Sequence, residues 1–157
     1  MPKLYIMCGP SGAGKTTWAA SIASNNENIH HISRDAIRYS MLGDNDDYFS
    51  HEKEVFRKFV STIVDSLVEG YDVIADATHL NEFSRRKLTQ AIDMQFKDYE
   101  IIYVVVSLGY DECVKRNALR EGRARVPETA LKHMYRDFRF PSMEEDNRVI
   151  DIIEVGG

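Results

Sequence analysis

The consecutive residues Gly9-Pro10-Ser11-Gly12-Ala13-Gly14-Lys15-Thr16 fit the pattern G-x-x-x-x-G-K-[ST] directly after the apolar run Leu4–Cys8. The chemistry open to such a segment is binding of a nucleoside triphosphate. Its glycines let the backbone wrap a phosphate with N–H groups pointing inward, and the start of the following helix adds positive potential. Lys15 can then reach the β- and γ-phosphates, and the Thr16 hydroxyl can ligate Mg²⁺. The expected nucleotide-binding residues here are Gly9, Ser11, Gly12, Ala13, Gly14, Lys15, Thr16 and Thr17. ATP or another nucleoside triphosphate is the expected phosphoryl donor, with Mg²⁺.

Three further segments bear on what receives the phosphate. Ser33-Arg34-Asp35-Ala36-Ile37-Arg38 begins at the carboxyl end of a predicted strand, the edge on which open α/β sheets bind ligands. An Asp there can take a proton from an attacking hydroxyl, and an Arg one helical turn later can hold an anionic part of the acceptor. By spacing alone, a helix cap and a solvated arginine explain Asp35 and Arg38 equally well. Asp76-Ala77-Thr78-His79-Leu80-Asn81 closes another predicted strand, where Asp76 can orient metal-bound water and Asn81 suits a helix cap. Finally, Lys115, Arg116, Arg120, Arg123 and Arg125 surround Glu121-Gly122, as a phosphate-clamping lid requires; an exposed helix end rich in Arg is the plainer alternative.

These segments need a scaffold, and periodicity supplies one. Short apolar runs at Leu4–Cys8, Ile29–Ile32, Tyr71–Ala77, Glu100–Leu108 and Arg148–Val155 read as strands. Helices are predicted over Lys15–Ser24, Arg34–Leu42, Ser50–Glu69, Asn81–Phe96, Asp111–Arg120 and Glu128–Phe138. Gly70 is placed to stop the third, Asp111 to cap the fifth, and Pro127 to precede the last. Parallel strands need crossovers of about this length, so the expected architecture is a three-layer α/β fold with a mostly parallel central sheet, in one domain over 1–157.

In their order, the motifs resemble the kinase module of phage-type polynucleotide 5′-hydroxyl kinases. The resemblance runs from Lys3 to about Tyr135. It rests on Gly9–Trp18, Ser33-Arg34-Asp35 with Arg38 and Ser40, Thr78–Asn81 with Arg85-Arg86, Val114-Lys115-Arg116-Asn117, Arg120, Val126-Pro127 and Met134-Tyr135. It implies a P-loop kinase fold with an Arg-bearing lid and ATP-dependent phosphorylation of the 5′-hydroxyl end of DNA or RNA. Lys15 and Thr16 would hold phosphate and metal. Asp35 would be the general base, Arg38 would grip an acceptor phosphate, Arg116 and Arg120 would reach the donor, and Asp76 and Thr78 would border the acceptor. The sequence departs from this family twice. The acid that should immediately precede the threonine is Ala77 here, with Asp76 one residue earlier. The segment after Arg120 is longer by about one residue, so Arg123 and Arg125 receive no role from the likeness. A P-loop kinase for a small hydroxyl compound is the alternative reading.

Composition limits the partners. At 157 residues, 43% hydrophobic and 29% charged, the chain is that of a globular protein, and its apolar runs fall far short of the ~20 residues that span a bilayer. No export signal precedes the first strand, so a cytoplasmic enzyme without membrane contact is expected. Cys8 and Cys113 have no metal or disulfide spacing. His51-Glu52 begins a zincin pattern that lacks its second His, while His30, His31, His79 and His133 read as surface or packing residues. Trp18 reads as core. Twenty basic against 25 acidic residues give a charge of −5, so any nucleic-acid contact must be local; Arg density at 116–125 and 85–87 can supply it, with affinity that falls as salt rises. Monomer and homo-oligomer are both left open.

Overall fold

The computed structural model describes residues 1–10, 14–47, 49–107, 109–120 and 125–156. The chain alternates strand and helix as β1 (Lys3–Cys8), α1 (Lys15–Ser24), β2 (Ile29–Ser33), α2 (Arg34–Met41), α3 (Glu52–Val68), β3 (Asp72–Asp76), α4 (Glu82–Asp93), β4 (Glu100–Ser107), α5 (Tyr110–Ala118), α6 (Glu128–Asp137) and β5 (Val149–Gly156). The five strands form one parallel sheet in the order β2-β3-β1-β4-β5. Chain order reverses on either side of the central β1, which makes its carboxyl end the switch point where such sheets bind ligands.

Strand alternation sorts the core into two layers of side chains. Leu4, Ile6, Cys8, Ile101, Tyr103 and Val105 face α3 and α4, where Phe59, Ile63, Leu67, Leu88 and Ile92 cover them. Met7, Ile74, Ile102, Val104 and Val106 face the other way, against Ala19 of α1 and Cys113 of α5, with Trp18 packed partly buried beside them. Helices thus cover both faces, which is why β1 and β4 carry consecutive apolar residues over Leu4–Cys8 and Ile101–Val106 rather than alternating.

Local chemistry sets several boundaries. Ser33 is the N-cap of α2, its side chain accepting from Ala36 N–H at 3.1 Å. Asn81 and Ser84 form a reciprocal capping box at α4. The predicted fifth helix is corrected at both ends: Gly109, not Asp111, is its N-cap, and it stops at Ala118, before Arg120. Asp111 instead lies in the first turn, where a carboxylate favours the helix dipole. Among the described residues no helix is long and apolar enough to cross a membrane.

Candidate active site

At the carboxyl edge of the sheet lies a cavity of about 350 Å³, walled by two groups of residues. Gly14, Lys15, Thr16 and Thr17 come from the turn between β1 and α1 and the helix start; Arg34, Asp35, Arg38, Phe49 and Glu52 come from α2, the segment after it and the first residue of α3. Asp76, Ala77 and Thr78, from the end of β3 onward, line it too, as do Arg120 and Met134.

The geometry at β1 demands glycine. Gly9 has φ +151°, and a Cβ there would lie 2.5 Å from the Val106 carbonyl oxygen. Its N–H donates to the Thr78 carbonyl at 2.8 Å, tying the start of the phosphate loop to the end of β3. Gly14 is the N-cap of α1 with φ +98°, and Arg116 Nη1 lies 3.5 Å from where its Cβ would stand. Ser11, Gly12 and Ala13 lie outside the described residues, as does Arg123.

Lys15 is 7% exposed, and its ammonium donates to the Pro10 carbonyl at 2.8 Å. Burial pushes its pKa down to about 8, against the pull of the Asp76 and Asp35 carboxylates. Thr16 Oγ1 donates to Asp76 Oδ2 at 2.8 Å, and His31 Nε2 meets the same oxygen at 2.8 Å. Burial alone would raise the Asp76 pKa, but hydrogen bonds from His31 and Thr16 and the Lys15 charge outweigh it and hold the carboxyl below its ordinary range. His31 is therefore not a mere packing residue. It presses against the acid because β2 and β3 run in register, with Ser33 beside Asp76.

Asp35 and Arg38 meet as an ion pair one helical turn apart. The alternatives of helix cap and solvated arginine both fail, since Ser33 caps the helix and the Arg38 side chain is only 7% exposed. Arg38 forks between two carboxylates, its Nε donating to Glu52 Oε1 at 2.7 Å. Arg34 Nη2 donates to Glu52 Oε2 at 3.0 Å. Burial favours a protonated Glu52, but Arg38 and Arg34 prevail and keep it ionised. Arg34, Phe49, Glu52, Ala77 and Met134 line the cavity although sequence reasoning assigned none of them a role there. Glu52 stood in view only as part of an incomplete zincin pattern, and nothing in its own neighbourhood marks it as the partner of residues 14 and 18 positions earlier.

Of the basic residues expected in a nucleic-acid groove, Arg85 is a correction. It is 1% exposed, pairs in two-point fashion with Glu145 at 2.8 and 3.0 Å, and donates to the His79 carbonyl at 2.9 Å. It belongs to the core because its position on α4 faces the sheet beside Leu88 and Ile92. Arg86 is exposed and pairs with Glu82. Arg116 pairs loosely with Glu112 at 3.6 Å, and Arg125 Nε donates to the Arg120 carbonyl at 3.2 Å.

A hydroxyl backed by a buried carboxylate, as at Thr16 and Asp76, offers the hard oxygen donors that Mg²⁺ takes, and the low Asp76 pKa keeps that oxygen set anionic. The residues present fit such an ion.

The sequence profile of the family described as "AAA domain" matches residues 4–141. Among solved structures, a chain of a "Pnkp1/Rnl/Hen1 complex" is similar at 27% identity and TM-score 0.63, over 73% of this chain and 38% of that one. A "Fungal RNA Kinase" is similar at 16% identity and TM-score 0.70, over 98% of this chain and 38% of that one. A "sugar kinase" from a Janibacter species is similar at 18% identity and TM-score 0.67, over 99% of this chain and 85% of that one. The chain thus spans well under half the length of the first two structures and most of the sugar kinase. Together they establish an α/β P-loop kinase-type fold with a parallel five-stranded sheet.

Proposed function

The chain belongs to the AAA domain family, and from that premise we propose that it transfers the γ-phosphoryl group of ATP to the 5′-hydroxyl end of DNA or RNA. The observation that carries this reading is a single cavity lined both by the phosphate-loop residues Lys15 and Thr16 and by the Asp35–Arg38 pair. The first pair suits a triphosphate and the second suits an alcohol beside an anion. The similarity to the Pnkp1-containing complex and to the fungal RNA kinase supports a nucleic-acid acceptor.

Lys15 neutralises the β- and γ-phosphates, and Arg120, which lines the same cavity, supplies a guanidinium to stabilise the spread charge of the transferred group. Thr16 and Asp76 would hold Mg²⁺, which would supply positive charge to offset that of the triphosphate. Asp35 takes the proton of the 5′-hydroxyl as its oxygen bonds to the γ-phosphorus and the bond to the β–γ bridging oxygen breaks, releasing ADP. Arg38, fixed by Asp35 and Glu52, orients this base and faces the acceptor phosphate.

The sugar kinase neighbour, matched over 85% of its length, supports a second reading with a small hydroxyl acceptor. One assay separates the two. Labelled ATP and Mg²⁺ are offered with a 5′-hydroxyl oligonucleotide or with a panel of sugars, nucleosides and other alcohols. Labelled oligonucleotide, lost on Asp35→Ala, is the expected result; label in a small alcohol with no labelled strand overturns the proposal. Arg38→Ala should lower transfer to oligonucleotides far more than transfer to neutral small acceptors, which lose only its hold on Asp35.

A further inference from the structure

Phe49 is an aromatic ring out of place for a core residue. It is 46% exposed, whereas Phe59 is fully buried. The ring forms part of the cavity wall on the side that carries Asp35, Arg38 and Glu52. It is also held in place, because the Arg38 guanidinium lies 5.6 Å from its centroid and is itself anchored by carboxylates at Asp35 and Glu52.

We propose that Phe49 is the platform on which the base of the acceptor's 5′-terminal nucleoside stacks, so that the site selects a base-bearing strand end. This rests on the polynucleotide reading above and deepens it. A sugar acceptor could lay only a C–H face on this ring and has no phosphate for Arg38 to hold. A nucleoside end presents a hydroxyl, a phosphate and a flat base at once. Asp35, Arg38 and Phe49 stand together on one wall with chemistry to match each of the three. Stacking tolerates every base, so the site would discriminate presence of a base rather than its identity. Assignment to the acceptor rather than to the ATP base follows from position: Phe49 stands with the proposed base and acceptor arginine, whereas Lys15 and Thr16 hold the donor's phosphates.

The test uses the full chain and two matched 5′-hydroxyl oligonucleotides, one intact and one whose 5′-terminal residue is abasic. Wild type should prefer the intact strand about tenfold, mainly through KM, as expected for loss of one base–aromatic stack. Phe49→Leu, which keeps apolar bulk without a π-face, should bring the intact strand down to about the abasic level, with a much smaller effect on the abasic strand and on the KM for ATP. Phe49→Trp should retain the preference. Equal use of both strands by wild type overturns the inference and leaves the polynucleotide reading standing. So does a Phe49→Leu defect that is the same for both strands, or one confined to the KM for ATP. Transfer to neither strand overturns both.

Discussion

His79 carries a worked stability prediction. The ring is 5% exposed, stacks near Phe59, and donates from Nδ1 to the Met7 carbonyl at 2.7 Å. Burial drives its pKa from an ordinary 6.5 down to about 4, against the favourable Met7 contact. The unfolded chain therefore binds a proton that the folded chain refuses. Stability falls as pH drops below 6.5 and levels off only below about 4, with a full cost of roughly 3 kcal/mol at about 1.4 kcal/mol per pH unit. Between about pH 7.5 and about pH 5 the same relation gives a loss of about 2 kcal/mol. Carboxylates held low, such as Asp76 and Glu52, lose their contribution mainly at lower pH, so this window isolates the histidine. The comparison is with His79→Asn, since His79 has φ +40° and Asn tolerates that region. Urea unfolding of both proteins at the two pH values should give an Asn variant that is weaker at neutral pH but whose stability falls about 2 kcal/mol less on acidification. Equal slopes for the two proteins would refute a neutral, buried His79.

Three other perturbations have defined outcomes. Asp35→Asn keeps the shape of the Arg38 partner but cannot accept a proton; kcat should fall about 10²- to 10⁴-fold with the KM for ATP within about twofold, measured by labelled-phosphate transfer. Glu145→Gln leaves the guanidinium of Arg85 buried without its counter-charge, and denaturant titration should show a loss of about 3–5 kcal/mol, far above the change from Arg86→Ala on the exposed face. Gly9→Ala forces a methyl against the Val106 carbonyl at an unfavourable φ and should cost roughly 3 kcal/mol or more in the same titration, with weakened nucleotide binding because the Gly9–Thr78 tie is disturbed.

The alternation of elements, the phosphate loop, the cap at Asn81 and the stop at Gly70, which follows the Glu69 C-cap of α3 with φ +93°, were legible because each is written in contiguous residues: apolar periodicity, glycines before Lys15 and Thr16, a polar residue before a helical face, a glycine after it. Asp35 and Arg38 were legible as a pair for the same reason, being one helical turn apart. What lay beyond the sequence were the partners that strand order brings together. Asp76 meets Thr16 and His31 across 60 and 45 residues because β3 is inserted between β1 and β2. Arg38 finds Glu52 because α3 begins beside α2, and Arg85 turns inward because α4 packs that face onto the sheet against Glu145. Backbone conformation is decided over a few neighbouring residues. Which charges neutralise one another is decided by packing, where the cost of burying an ion without a partner selects among arrangements that local spacing leaves equal.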